Sequence, residues 1–209
     1  LAHEIIAAIR RSPINPGLLS LNDLKAYEVI ERPNLCGPYR GYTICSMGEP
    51  SSGGLTLLQI LGLLEPFNLG DAPNAGAIHL IADASRLAFA DRNFYMGDPD
   101  FVDTPGTLLL SPDYLDRRRE LLSTYRRLSP REIVPGIPDS WLDSRRTPDN
   151  TIKPPGTTHI SIIDTDGNIV SMTSTIEQAF GSRVMTNGFL LNNELTDFSF
   201  LPWRNGWDV

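Results

Sequence analysis

Two runs of residues rich in β-branched side chains, joined by an Asp-Gly-Asn turn, constrain this fold more than any other feature. The runs span residues 159–163 and 169–176, and the turn is Asp166-Gly167-Asn168. β-Branched residues favour strands, and an Asp-Gly pair favours a tight reversal between strands. We therefore predict a β-hairpin, and the first residue of its leading segment is Thr157.

The approach to this hairpin is rich in proline. Six prolines lie between Ser129 and Gly156, and few apolar residues accompany them. Because each proline lacks an amide donor and restricts its predecessor, the residues just before Gly156 are neither helix nor central strand. We interpret residues 129–156 as a linker that is open to proteolysis.

Composition limits the class of protein. At 209 residues, with 41% apolar and 21% charged residues, the chain is long enough for one soluble globular core. A net charge of −7 argues against nucleic-acid and anionic-membrane surfaces, and no apolar run approaches the length of a membrane span. The local basic cluster at residues 117–119 and 126–127 is interpreted as a solvated helix face. Since the chain starts at Leu1 and ends without a closing element, we expect a fragment of a longer protein.

Helical spacing of apolar residues predicts several helices. Ser20 or Asn22 is expected to cap one of them. The longest pattern places six apolar residues on or near one face: Ile78, Ile81, Ala82, Leu87, Ala88 and Phe94. The predicted helices cover residues 2–11, the stretch after Ser20, the apolar run 55–64, residues 74–96, and a stretch from Ser111 through Leu122.

The two cysteines, Cys36 and Cys45, lie on a predicted hairpin between Arg32 and Met47. If residues 38–41 form a turn, the two thiols face each other at a separation that a disulfide accepts. Two buried thiols are the alternative, and a disulfide favours an oxidising compartment.

No pattern points to a metal or a cofactor. His3, His79 and His159 lack paired ligand spacing, and the cysteines have no CxxC arrangement. No nucleophile elbow and no dinucleotide fingerprint is present. What remains is threonine chemistry, because a threonine at a chain terminus has its own α-amine as a general base. In a precursor, the Thr157 hydroxyl can attack the Gly156 carbonyl and expose that amine.

The run from Thr157-Thr158-His159 to Thr175, followed by Phe180-Gly181-Ser182 and residues 188–198, resembles the start of the small subunit of γ-glutamyltranspeptidases. Upstream stretches are similar to the C-terminal half of that family's large subunit. These stretches are Leu21–Tyr27, Tyr39–Tyr42, Pro50–Gly54, Ala90–Arg92 and Gly97–Phe101. The resemblance therefore extends over nearly the whole chain.

This resemblance implies an α+β fold, part of the four-layer αββα sandwich of N-terminal nucleophile hydrolases, incomplete in this chain. Residues 1–156 correspond to the large-subunit region, including the linker at 129–156, and residues 157–209 to the small-subunit region, in one fold. The resemblance also implies that the precursor cleaves itself between Gly156 and Thr157.

The same resemblance assigns the site residues. Thr157 is the expected nucleophile, and the Thr175 hydroxyl supports it. Glu194 and Asp197 match the acidic positions that receive the donor's α-amino group, as two carboxylates suit an ammonium. Glu177 stands where the family commonly has an asparagine, and an added carboxylate there disfavours a donor carboxylate.

The implied activity is γ-glutamyl transfer from glutathione or related amides to water or an amino acid, without a cofactor. Large and small subunits of one precursor pair with each other, in the periplasm or outside the cell. The family's donor-binding arginine lies upstream of Leu1 and its oxyanion hole downstream of Val209, so we expect this fragment alone to be inactive. A glutaryl-type acylase and a non-catalytic scaffold remain as alternatives.

Overall fold

The computed structural model describes residues 1–71, 74–139, 141, 156–195, 203–204 and 207–208. These residues form helices and antiparallel two-stranded pairs, so the predicted α+β class is confirmed. In chain order the elements are α1 (Ala2–Arg10), α2 (Leu21–Ala26), β1 (Asn34–Tyr39), β2 (Tyr42–Met47), α3 (Ser52–Leu64), α4 (Ala75–Tyr95), a 3-10 helix (Gly106–Leu110), α5 (Pro112–Arg119), β3 (Thr157–Ile163), β4 (Ile169–Thr175), β5 (Met185–Thr186), β6 (Phe189–Leu190), β7 (Trp203–Arg204) and β8 (Trp207–Asp208).

The chain divides into two compact units. The first unit comprises Leu1–Ile30 and Asn150–Phe200 and contains α1, α2 and the strands β3 to β6. The second unit comprises Glu31–Asp149 and Leu201–Val209 and contains the remaining elements. Among the described residues, no helix is both long enough and apolar enough to cross a membrane.

Side-chain caps fix where two of the predicted helices begin. The Ser20 hydroxyl accepts from the Asp23 amide while the Asp23 carboxylate accepts from the Ser20 amide, which is a reciprocal capping box at α2. Asn74 caps α4 by accepting from the Ala77 amide at 2.9 Å. The helix predicted through Leu122 is shorter than expected, because α5 ends at Arg119.

The core of the second unit lies between α3 and α4. Leu87 and Ala88 of the predicted apolar face are buried, as expected, but the prediction is wrong for Ile78 and Ile81, which are 61% and 43% exposed. The buried stripe of α4 instead carries two aspartates, Asp83 and Asp91, among its small and apolar residues. Hydrogen bonds offset the desolvation cost of burying these carboxylates. Asp83, for example, accepts from the Leu128 amide at 2.8 Å. The central cluster contains Leu63, Leu64, Leu80, Ala84, Leu87, Leu122 and Leu128.

Arg118 corrects the prediction that the basic cluster is a solvated face. Its side chain is buried and donates to Asp91 Oδ1 at 3.1 Å and to the Leu87 carbonyl at 3.1 Å. Asp91 also accepts from the Tyr114 hydroxyl and from the Gly136 amide, each at 2.8 Å. A buried carboxylate needs such donors, so the arginine is drawn inside to its partner.

Cys36 and Cys45 lie directly opposite each other on β1 and β2 and form a disulfide. The hairpin turns at Arg40-Gly41, where both residues have positive φ. The disulfide joins exposed positions, whereas Leu35, Gly37 and Ile44 on the other face of the hairpin are half-buried, and both strands contact α3.

Candidate functional site

A short loop sets the register of the β3–β4 hairpin. The Asp164 carboxylate accepts from the amides of Asp166 and Asn168 at 2.9 and 2.8 Å, and from the Asn168 side chain at 2.7 Å. Gly167 takes the left-handed φ of +84° that closes the turn. The Asn168 side-chain hydrogen bond is the main reason that the pKa of Asp164 lies below its usual range.

This register places Thr157 directly opposite Thr175. Residues directly opposite each other in an antiparallel pair have neighbouring side chains. The hairpin was predicted from its turn and its β-branched residues, and both strands are present with exposed side chains along their lengths.

The Thr175 hydroxyl connects the Gly156 carbonyl to the turn that follows β4. It accepts from the Glu177 amide at 2.8 Å and donates to the carbonyl oxygen of Gly156 at 3.4 Å. That oxygen belongs to the peptide bond between Gly156 and Thr157. A hydroxyl that donates to a carbonyl oxygen withdraws charge from it and makes its carbon more electrophilic.

Gly156 packs directly on the backbone of the turn after β4. A Cβ at this position would lie 1.6 Å from the Glu177 carbonyl oxygen, so only glycine fits. Glu177 is buried, at 8% exposure, and has a φ of +71°. Few non-glycine residues adopt a positive φ, so the contacts around this turn must hold Glu177 in that conformation.

Asn193 joins the segment that carries Glu194 to the same turn. Its side chain accepts from the Gln178 amide at 3.1 Å, and its amide donates to the Ile176 carbonyl at 3.3 Å. Glu194 is half-buried, and its amide donates to the Asn192 side chain at 3.1 Å. Sequence reasoning did not single out Asn193, although the Asn-Asn pair before Glu194 was the available signal.

The structure thus brings Gly156, Thr157, Thr175 and Glu177 together and links the Glu194 segment to them. Asp197 lies outside the described residues. Within the described part of the chain, no group of three or more His, Cys, Asp or Glu residues is placed to hold a metal ion. The arrangement offers a hydroxyl beside a polarised peptide carbonyl, which suits acyl transfer.

Comparison with known proteins gives consistent results. The family model described as Gamma-glutamyltranspeptidase matches residues 1–209. A glutathione hydrolase proenzyme of Escherichia coli is 38% identical over 192 residues, covering 90% of this chain and 31% of the relative. An Acylase ACY 1 proenzyme of a Pseudomonas species (strain V22) is 34% identical, covering 91% of this chain and 32% of the relative.

A solved structure that is similar to this chain belongs to the same family as these matches. The γ-glutamyltranspeptidase of Helicobacter pylori superposes with a TM-score of 0.62 at 35% identity, over 68% of this chain and 41% of that one. The chain spans about a third of the length of the curated relatives that it matches. A family match along the entire chain, together with relatives at this level of identity, shows that the chain belongs to the γ-glutamyltranspeptidase family.

Proposed function

We propose that the full-length protein transfers or hydrolyses γ-glutamyl groups through an acyl-enzyme on Thr157, after autoproteolysis of the Gly156–Thr157 bond. The observation that carries this proposal is the Thr175 hydroxyl. It sits on the residue opposite Thr157 and donates to the Gly156 carbonyl oxygen at 3.4 Å. The proenzyme names of the relatives agree with a precursor that is cut.

Maturation begins when Thr157 Oγ1 attacks the carbonyl carbon of Gly156. The peptide C–N bond breaks as its nitrogen takes up a proton, and an ester then joins Gly156 to the Thr157 side-chain oxygen. Water hydrolyses that ester and leaves a carboxylate on Gly156 and a free α-amine on Thr157. Thr175 stabilises the charge that develops on the carbonyl oxygen.

In turnover the Thr157 amine takes the proton from its own hydroxyl, which attacks the γ-carbonyl carbon of the donor. The leaving amine departs with a proton, and water or the amine of an amino acid then takes the acyl group. Glu194 and Asp197 hold the donor's α-ammonium group in this proposal, and Glu177 contacts the same end of the donor. Glutathione is the donor because the Escherichia coli relative is named a glutathione hydrolase.

A glutaryl-type acylase with the same nucleophile is the second candidate. Glu177 does not separate the two candidates, because its buried carboxylate repels the terminal carboxylate of a glutaryl donor as well as the α-carboxylate of a γ-glutamyl donor. A Pseudomonas relative is named an acylase proenzyme. The third candidate is a scaffold without catalysis.

The test uses the full-length precursor and its Thr157→Ala variant. Mass spectrometry should find a new N-terminus at Thr157 in the wild type and an uncut chain in the variant. Matured protein should hydrolyse γ-glutamyl-p-nitroanilide faster than glutaryl-p-nitroanilide. A preference for the glutaryl compound supports the acylase, and activity that survives Thr157→Ala supports neither enzyme.

Location and pairing follow from the same proposal. The two products of cleavage remain paired as large and small subunits of one fold, since Leu1–Ile30 and Asn150–Phe200 form one compact unit in which Asn187 donates to Glu4 at 2.8 Å. The Cys36–Cys45 disulfide supports the periplasm or the extracellular space, because disulfides persist in oxidising compartments.

A further inference from the structure

The face of the β3–β4 hairpin that carries Thr157 is polar along its first three residue pairs. Alternate residues of a strand share a face, and the register pairs residues 157, 159 and 161 with 175, 173 and 171. The other face of the hairpin is largely apolar and includes Ile160 and Met172. The polar set consists of Thr157, His159, Ser161, Ser171, Thr173 and Thr175.

On this polar face, the His159 side chain lies within hydrogen-bond distance of hydroxyl groups on both strands. Its Nδ1 lies 2.8 Å from Thr173 Oγ1, its partner in the register. Its Nε2 lies 3.1 Å from Ser161 Oγ and 3.4 Å from Ser171 Oγ. A neutral imidazole has one donor and one acceptor nitrogen, and a hydroxyl can serve as either, so the network forms with either tautomer.

On the face that carries Thr157 and Thr175, the next pair is His159–Thr173, two positions along each strand. Diagonal neighbours on one face of such a pair lie within reach of aromatic side chains. An imidazole fixed by hydroxyls of both strands therefore limits the twist and the side-chain motion of the hairpin beside the nucleophile. Small displacements of a nucleophile carry a large rate penalty, about a hundredfold for 1 Å.

We propose that His159 is a positioning residue for Thr157, because its imidazole locks the cross-strand hydroxyl network next to the Thr157–Thr175 pair. The inference rests on the proposed function, since it assigns Thr157 as the nucleophile. It adds a requirement that this function does not contain: position 159 needs an imidazole, or a side chain able to replace its hydrogen bonds to both strands.

The test compares His159→Leu, His159→Gln, Thr173→Val and the double variant His159→Leu/Thr173→Val in the full-length protein. We measure the maturation rate, kcat and KM for γ-glutamyl-p-nitroanilide, and Tm. Met172→Leu, on the opposite face of the hairpin, is the matched control. We expect His159→Leu to lower kcat at least tenfold with KM changed less than twofold, and His159→Gln to recover part of the loss.

The double variant gives the decisive readout. If His159 acts through Thr173, the double variant loses little more than His159→Leu alone. Losses in kcat that simply multiply, or a His159→Leu kcat within twofold of wild type, overturn the proposal. The proposal is also overturned if His159→Gln loses as much kcat and as much Tm as His159→Leu does, since that result indicates general destabilisation. Thr157→Ala run in parallel separates the two claims: turnover that survives it refutes the proposed function, whereas turnover lost there but kept in His159→Leu refutes only the positioning role.

Discussion

Gly156→Ala is the sharpest test of the proposed cleavage site. The added Cβ would lie 1.6 Å from the Glu177 carbonyl oxygen, whereas real contacts of this kind do not fall below 3.0 Å, so the two backbone segments must separate by about 1.4 Å. The Thr175 hydrogen bond to the Gly156 carbonyl is already 3.4 Å long and does not survive that shift. Loss of one oxyanion donor costs about 10²–10³ in rate. Autoproteolysis of the variant should therefore slow by at least about a hundredfold.

The assay follows the full-length precursor by gel electrophoresis and by mass spectrometry of the Thr157 N-terminus. Gly53→Ala is the control, because a Cβ at Gly53 meets only the Ser51 hydroxyl, at an ordinary 3.6 Å. The reasoning is refuted if Gly156→Ala matures at the wild-type rate while Gly53→Ala does the same. A variant that fails to fold is recognised by its far-UV spectrum and is compared with Gly156→Ser, which carries the same clash.

Three further predictions rest on single contacts. Thr175→Val keeps the side-chain shape but removes the donor to the scissile carbonyl, and should slow maturation about a hundredfold as followed by gel electrophoresis. Arg118→Leu leaves the buried Asp91 carboxylate without its cation and should lower the free energy of unfolding by about 3–5 kcal/mol in a urea titration. Asn168→Ala should raise the pKa of Asp164 toward its usual value, as measured by carboxyl NMR titration.

The sign of the last effect follows from linkage. Because the folded-state pKa of Asp164 lies below its unfolded value of 3.8, its contribution to hairpin stability is present above that pH and is lost as pH falls through the folded pKa. Asn168→Ala should shrink this contribution. An unchanged Asp164 titration curve would contradict the assigned hydrogen bond.

Arg117→Leu is the control for the Arg118→Leu prediction, since the exposed ion pair of Arg117 with Asp139 should contribute at most about 1 kcal/mol to the free energy of unfolding.

Local signals predicted the elements that local interactions determine. The cap at Ser20 and the turn at Gly167 depend on residues within a few positions of each other, so the sequence pattern was sufficient. The position of Arg118 was not predictable in this way. Its partner Asp91 is 27 residues away, and only the packing of α4 against α5 reveals that both charges are buried.

The candidate site also combines features that local sequence predicts with contacts that only the folded structure reveals. Thr157 and Thr175 were assigned by the family resemblance, and the predicted hairpin made them neighbours. The approach of Gly156 to Glu177, in contrast, is a contact that no spacing rule contains. The resemblance marked Gly156 as the residue before the expected cleavage, but nothing in the sequence predicted its contact with Glu177. The close backbone contact with Glu177 requires glycine at position 156, because any Cβ there would clash.

The geometry also separates maturation from turnover in the proposed function. The contacts that hold the Gly156 carbonyl, through Thr175 and the backbone of Glu177, all lie within one hairpin and the turn that follows it. In the proposed function, donor binding depends on other groups, among them the Glu194 and Asp197 carboxylates. Substitutions at Gly156 should therefore act on maturation alone, since Gly156 is a chain end once the bond is cut. Thr175 should affect both reactions, because its hydroxyl remains beside Thr157 after cleavage. A Gly156→Ala protein that does finally mature should accordingly turn over its donor at the wild-type rate, whereas matured Thr175→Val should not.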